Sequence, residues 1–232
     1  MPISRRGFLG SAASVSMIGI DGGSQLSRLF REPPVALSGC ALADLGSSCA
    51  LRESSAGYES ALAAAGMAFK RTSLHSLLPS RLVILPAAVF THESELVRVR
   101  RHLKNGSTVI LESGAAFINA EGFYFHRCLM DSVLGLSLHA PIRLWESADS
   151  FSQSPYIDYR WPVVTKVREF SRIIPVDCRS GETIAWFHKL PVAIKRRVGK
   201  GTLVFLGSPL GPHLLAGDRE AGNWLQAVCA SC

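Results

Sequence analysis

Apolar runs that do not alternate with polar residues are the chain's clearest periodic signal. Leu82-Val83-Ile84-Leu85 and Thr108-Val109-Ile110-Leu111 bracket a charged segment, residues 94–104. Unbroken apolar runs of this length suit strands covered on both faces, as in parallel sheets. The charged segment has helix end signals. Thr91 is placed to cap it, Glu93 and Glu95 sit at the positive end of its dipole, Arg98, Arg100, Arg101 and Lys104 crowd the negative end, and Asn105-Gly106 stops it. Residues 81–114 therefore predict one βαβ unit. Parallel crossovers bring both strands out at the same sheet edge, where open α/β folds bind ligands, so Pro86 and the turn Glu112-Ser113-Gly114 are expected there.

The same reading extends in both directions. Residues 35–37 predict a first strand, 40–55 a loop of small residues, 57–65 a helix and 68–72 a second strand. A helix over 122–135 is expected to bury a stripe of Phe125, Leu129 and Val133. Beyond it, short apolar runs separated by turn signals predict antiparallel hairpins: 173–176 with 183–187 across Arg179-Ser180-Gly181-Glu182, and 192–194 with 203–206 across Gly199-Lys200-Gly201. Residues 207–217 read as a Gly/Pro-rich loop, and Asp218 as the cap of a last helix through Val228. The predicted class is α/β: a flavodoxin-like, doubly wound, mostly parallel sheet with helices on both faces and antiparallel hairpins in the C-terminal half.

Composition sets the domain count. At 232 residues with 47% hydrophobic content, the chain can bury one full-sized core. The organisation expected is a leader and linker over residues 1–32 and one domain over 33–232. The formal charge of +7 is concentrated partly in the leader. Residues 1–31 hold four arginines against Asp21, a net +3, which leaves +4 for the remainder. That is too mild to argue for nucleic acid. The densest basic cluster, Lys195-Arg196-Arg197, lies on a predicted strand, where successive side chains face opposite ways.

The N-terminus reads Ser4-Arg5-Arg6-Gly7-Phe8-Leu9-Gly10, followed by uncharged residues through Ile20. It resembles a twin-arginine export signal, with Ser-Arg-Arg-x-Phe-Leu ahead of a moderately hydrophobic segment. The resemblance implies the twin-arginine translocase as a partner through residues 4–10, and a periplasmic location or the outer side of a bacterial cytoplasmic membrane. Leu37-Ser38-Gly39-Cys40 also fits a lipobox, but Arg28, Arg31 and Glu32 interrupt the apolar segment such a signal needs. An exported chain with Cys40, Cys49, Cys128, Cys178, Cys229 and Cys232 permits disulfides, and Cys40 with Cys49 would close one short loop. Cys229-Ala230-Ser231-Cys232 has the C-x-x-C form but no second pair to complete a metal site, and reads as a tail.

The order of elements, with Leu82-Val83-Ile84-Leu85-Pro86 before a crossover helix and residues 200–209 (Lys-Gly-Thr-Leu-Val-Phe-Leu-Gly-Ser-Pro) near the end, resembles the class I glutamine amidotransferase-like superfamily. Within it the chain is most similar to the branch holding β-galactosidase trimerisation domains and biotin-protein-ligase-like domains. The resemblance implies a cysteine nucleophile on a strand-to-helix elbow and a His-Pro-Glu pair after a late strand. Here the elbow is Glu112-Ser113-Gly114-Ala115-Ala116, and the late site is Ser208-Pro209-Leu210. A serine without an oriented base is a poor nucleophile, so glutaminase chemistry is not expected.

Two uses remain for these positions. In one, the domain is a non-catalytic pseudoenzyme that needs no cofactor. It binds a carbohydrate-related ligand or another protein through Glu112, Ser113, Pro86 and Ser208, in a cleft formed by the loops after Leu85, Leu111 and Leu206. In the other it is a serine hydrolase using Ser113, His213 and Asp218 or Glu220. A third reading is an oligomerisation module. Glu112, His92 and His213 are the only residues worth weighing as metal ligands, and they lack ligand spacing, so no metal is expected. His75, His102, His126, His139 and His188 stand singly and receive no catalytic role. Trp145, Tyr156, Tyr159 and Trp161 gather around residues 150–155, where they suit either sugar stacking or core packing.

Overall fold

The computed structural model describes residues 39–144, 155–169 and 171–232. The leader, the strand expected at 35–37, Trp145 and residues 150–154 lie outside that set.

Eleven strands occur among the described residues, nine of them in one sheet that organises the chain and two in a separate pair. Its parallel part comprises β2 (Phe69–Ser73), β1 (Cys40–Asp44), β3 (Leu82–Ala88), β4 (Thr108–Ser113) and β11 (Gly201–Leu206), in that order across the sheet. The antiparallel strands β10 (Leu190–Val198), β9 (Glu182–Phe187), β6 (Tyr156–Tyr159) and β7 (Thr165–Arg168) extend it from β11. The remaining two, β5 (Ile142–Arg143) and β8 (Arg172–Ile173), pair with each other. This is a mixed α/β fold with a large, mostly parallel central sheet and added antiparallel strands.

Alternate residues of β1, β3, β4 and β11 feed two separate hydrophobic clusters. Ile84, Ile110 and Val204 join one with Tyr58, Leu62, Trp224 and Leu225. Leu85, Leu111 and Leu203 join the other with Leu96, Leu103 and Met130. The first cluster packs α1 (Arg52–Ala64), α4 (Gly211–Leu215) and α5 (Arg219–Ala230). The second packs α2 (Glu93–Asn105), α3 (Ala120–Leu129) and the π-helical turn Met130–Leu134. Coverage of both faces explains why these strands carry no polar alternation.

Several elements differ from the pattern-based expectation. Cys40–Asp44 is β1, not a loop, because it lies between β2 and β3 and nearly every residue in it is buried. Its alanines hide the signal, since Ala has little strand preference of its own. Residues 172–173 pair with β5 instead of forming a hairpin with β9. The loop at 207–217 contains α4. The stripe of α3 is Phe123 and His126, continuing through Met130 and Val133, while Phe125 points outward. His92, not Thr91, occupies the N-cap of α2, and Glu95 turns back to accept from the N–H groups of Thr91 and His92. Asp218 caps α5 as expected, accepting from the N–H groups of Glu220 and Ala221.

Candidate functional site

The parallel strands β1, β3, β4 and β11 end together at one edge, where Pro86, Glu112, Ser113 and Ser208 lie. The turn after β4 is tight for a steric reason. Ala87 has a φ of 40°, unusual for a residue with a side chain, and lies in a bulge of β3. Its carbonyl points at Gly114, where an added Cβ would come within 2.2 Å of the Ala87 oxygen. Only glycine fits that approach.

Glu112, the one glutamate of β4, is 0% exposed. Its Oε1 accepts the Ser54 hydroxyl of α1 at 2.5 Å, and its Oε2 accepts the backbone N–H groups of Leu210 at 3.2 Å and Gly211 at 2.9 Å. The Tyr58 hydroxyl is buried beside the same carboxylate without reaching hydrogen-bond geometry. Burial raises the Glu112 carboxyl above its ordinary value, against the lowering effect of these donors. The expectation that Glu112 faces a ligand in the cleft is therefore corrected. Glu112 ties the start of α1 to the start of α4, and its oxygens are spent inside. The two helices approach so closely that a Cβ on Gly57 would meet the Gly211 carbonyl oxygen at 1.8 Å.

Ser113, Pro86 and Ser208 are also buried. Ser208 Oγ is 3.5 Å from the Tyr159 hydroxyl, and Tyr159 in turn packs on Trp224 with ring centroids 5.1 Å apart. Tyr159 is thus a core residue and not part of a sugar platform. Ser113 Oγ lies 3.3 Å from Nε2 of His126, a residue given no role by the sequence. His126 Nδ1 accepts the Phe90 N–H at 3.0 Å, and its ring stacks on that of Phe90. Desolvation lowers the imidazole pKa to about 4, so the ring is neutral near pH 7. With Nδ1 accepting, the proton resides on Nε2, which donates to Ser113. The imidazole consequently cannot take the serine's proton.

The expected triad is not assembled. His213 pairs with Glu169, Nε2 to Oε2 at 3.4 Å, while Asp218 serves as the α5 cap and Glu220 accepts the Thr165 hydroxyl. His92, Glu112 and His213 likewise have separate settings, and no cluster of three or more metal-ligating side chains occurs among the described residues.

What does open to solvent at this edge is a cleft of about 350 Å³ lined by Leu51, Glu53, Phe117, Glu169, Ser171, Pro209, Pro212 and His213. It takes residues that follow β4 and β11, as expected, but also the start of α1 and the segment after β7, and nothing after β3. Glu169 Oε1 accepts from the Ser171 N–H at 2.7 Å and from its hydroxyl at 2.5 Å, leaving Oε2 for His213. Burial works to lower the His213 pKa, but the hydrogen bond and charge of Glu169, with Asp218 and Glu112 behind, outweigh it and raise the value. Apolar walls with a few oriented polar groups are what small-ligand sites present. Phe117 and Glu169 have no sequence signal beyond residue type. His126 has one, its helical spacing from Phe123 and Met130.

No protein-family model matches the sequence, and no curated protein is similar to it at the level of sequence. Solved structures do share the fold. A β-galactosidase from Rahnella sp. R3 superimposes with a TM-score of 0.63 at 14% identity, over 84% of this chain and 31% of that one. An exo-β-1,4-mannosidase from Opitutaceae bacterium strain TAV5 gives 0.59 at 14% identity, over 83% and 36%. A β-galactosidase from Bacillus circulans sp. alkalophilus gives 0.57 at 16% identity, over 82% and 31%. The chain spans about a third of the length of these enzymes.

Proposed function

We propose that the chain is an exported, non-catalytic domain that binds a carbohydrate-related ligand in the cleft bounded by Phe117, Pro212, Glu169 and His213. The observation that carries this reading is the composition of that cleft: apolar surfaces from Leu51, Phe117, Pro209 and Pro212 beside the hydrogen-bonding groups of Glu53, Ser171 and the His213–Glu169 pair. A pyranose has an apolar face and a rim of hydroxyls, and this lining offers a match for each. The likeness to parts of glycoside hydrolases supports a carbohydrate context. The setting of Ser113 against a donating His126 supports binding without hydrolysis.

In this reading the fold is a flavodoxin-like, doubly wound member of the glutamine amidotransferase-like superfamily, close to its β-galactosidase trimerisation branch. The strand order β2-β1-β3-β4-β11 and the helices packed on both faces support that assignment. Export rests on residues 4–10, and replacing Arg5 and Arg6 by lysine should retain the protein in the cytoplasm of a host with the twin-arginine translocase. Binding is tested by calorimetric titration of galacto- and manno-configured oligosaccharides into wild type, Phe117→Ala and His213→Ala. The expected result is saturable binding that weakens at least tenfold in both variants. Absence of binding to every saccharide would overturn the ligand assignment.

A second reading, an oligomerisation module, is supported by Tyr124 and Phe125, which are 63% and 54% exposed and lie edge to face on the outside of α3. Light scattering across a concentration series decides it: an oligomer lost in Tyr124→Ser/Phe125→Ser supports assembly, and a monomer throughout removes it.

A further inference from the structure

At the opposite, amino-terminal edge of the parallel strands, a second cleft of about 440 Å³ is lined by Gly39, Cys40, Met67, Arg81, Cys229 and Cys232, among others. Three of the chain's six cysteines therefore share one cavity, although nearly the whole domain separates Cys40 from the other two in sequence. Cys40 opens β1, Cys229 lies in the last turn of α5, and Cys232 follows the helix by two residues. Cys40 is buried in the same hydrophobic cluster against which Cys229 packs, and Cys232 is exposed at the chain end. The pairing of Cys40 with Cys49 suggested by sequence proximity is not available. Cys49 lies beyond the other end of β1, four strand residues or about 13 Å further along, where its thiol donates to the Leu51 carbonyl at 3.0 Å.

We propose that Cys40, Cys229 and Cys232 form a thiol relay that closes a Cys40–Cys229 disulfide, joining the first strand of the domain to its last helix. The exposed Cys232 thiolate attacks one sulfur of an oxidising disulfide, such as glutathione disulfide, forming a mixed disulfide and releasing one thiolate. Cys229 then attacks the Cys232 sulfur and displaces the second glutathione thiolate, giving a Cys229–Cys232 bond. Cys40 attacks the Cys229 sulfur, which forms the Cys40–Cys229 bond and returns Cys232 as a thiolate. Two protein thiols have been oxidised and one glutathione disulfide reduced to two glutathione molecules, which take up the two protons.

The division of roles follows from position. Cys229 is the thiol common to both exchanges, since it stands three residues before Cys232 in the same cavity and packs against the cluster that holds Cys40. Burial pushes the Cys40 thiol up to about 12 and Cys229 to about 11, and raises Cys232 as well. All three are protonated at neutral pH, so closure is slow without an exchange partner and accelerates as pH rises.

The purified full chain is incubated with glutathione disulfide, quenched by alkylation, and digested with trypsin and a protease that cuts at Asp44, between Cys40 and Cys49. Mass spectrometry is expected to find the Cys40 peptide joined to the Cys229 peptide. In Cys232→Ser the same bond should form at least tenfold more slowly, and in Cys229→Ser no intramolecular bond to Cys40 should form. Cys40 recovered fully alkylated, or joined to Cys49, would overturn the clasp. An unchanged rate in Cys232→Ser would overturn the relay. Neither outcome depends on the carbohydrate reading, because the two clefts are lined by different residues.

Discussion

Ser113 Oγ and His126 Nε2 stand 3.3 Å apart with the proton on the nitrogen, so the serine is the acceptor of the pair. The direction is imposed by Phe90, whose N–H occupies Nδ1. A serine held this way is not a nucleophile, because activation requires a base with a free lone pair facing the hydroxyl. A fluorophosphonate probe is therefore expected to label wild type and Ser113→Ala equally weakly. Labelling present in wild type and lost in Ser113→Ala would show an activated serine.

The same histidine makes the fold sensitive to acid. Folded His126 stays neutral down to about pH 4, whereas the unfolded chain protonates near the ordinary value of 6.5. The unfolded state then binds more protons between those values, so stability falls as pH falls through that window, by about 3 kcal/mol in all from this residue. His126→Asn retains an acceptor for the Phe90 N–H and cannot titrate. Urea denaturation at pH 7 and pH 4.5 should show a markedly smaller loss in the variant. Equal losses in both proteins would mean that His126 is not the acid-sensitive group.

Glu112 should behave as a structural pin. Glu112→Gln keeps one oxygen for the N–H groups of Leu210 and Gly211 and offers an N–H to Ser54 Oγ, so the variant is expected to stay within about 1 kcal/mol of wild type. Glu112→Ala strands these donors in the interior and should cost about 3 kcal/mol or more. The pH signature is opposite to that of His126. A carboxyl raised by burial binds its proton more tightly when folded, so its contribution to stability declines as pH rises above the ordinary carboxyl value of 4.5. Glu112→Gln should remove that decline. Chemical denaturation across pH 4 to 8 would reveal a ligand-facing role instead if both variants left stability unchanged.

The helix contact beside this pin has no room for a methyl group. A Cβ on Gly57 would lie 1.8 Å from the Gly211 carbonyl oxygen, which is backbone and cannot swing away. Despite the better helix propensity of alanine, Gly57→Ala should lose about 3 kcal/mol or more and lower Tm by several degrees. A control at Gly222, also within a helix and with open space around it, should be neutral or slightly stabilising. Calorimetry that found both substitutions neutral would mean that α1 and α4 can separate without cost.

Strands β3 and β4 were legible because they are apolar on both faces, as in residues 82–85 and 108–111, and that pattern belongs to the segment alone. The end signals of α2 and the Asp218 cap were readable for the same reason, since capping is settled within a few residues. The tight turn after β4 could also be anticipated, although the carbonyl that makes Gly114 obligatory comes from Ala87 on another strand. β1 was not legible: its small residues become a strand only because β2 and β3 flank it. The pairing of residues 172–173 with β5, and of Cys40 with Cys229 in one cavity, joins segments whose separation carries no local mark.

Residue chemistry and tertiary position divide the candidate site in the same way. The sequence by itself placed Glu112 and Ser113 at the carboxyl edge of the sheet and established that the cysteine and His-Glu pair of the resembled family are missing, because those facts are matters of identity and order. Only the folded chain decided that Glu112 faces inward to Ser54 and Gly211, that Phe90 sets the proton on His126, and that Glu169 supplies the partner of His213. Burial and hydrogen-bond direction depend on groups far apart in sequence, and they determine whether a carboxylate or an imidazole binds, reacts or simply holds two helices together.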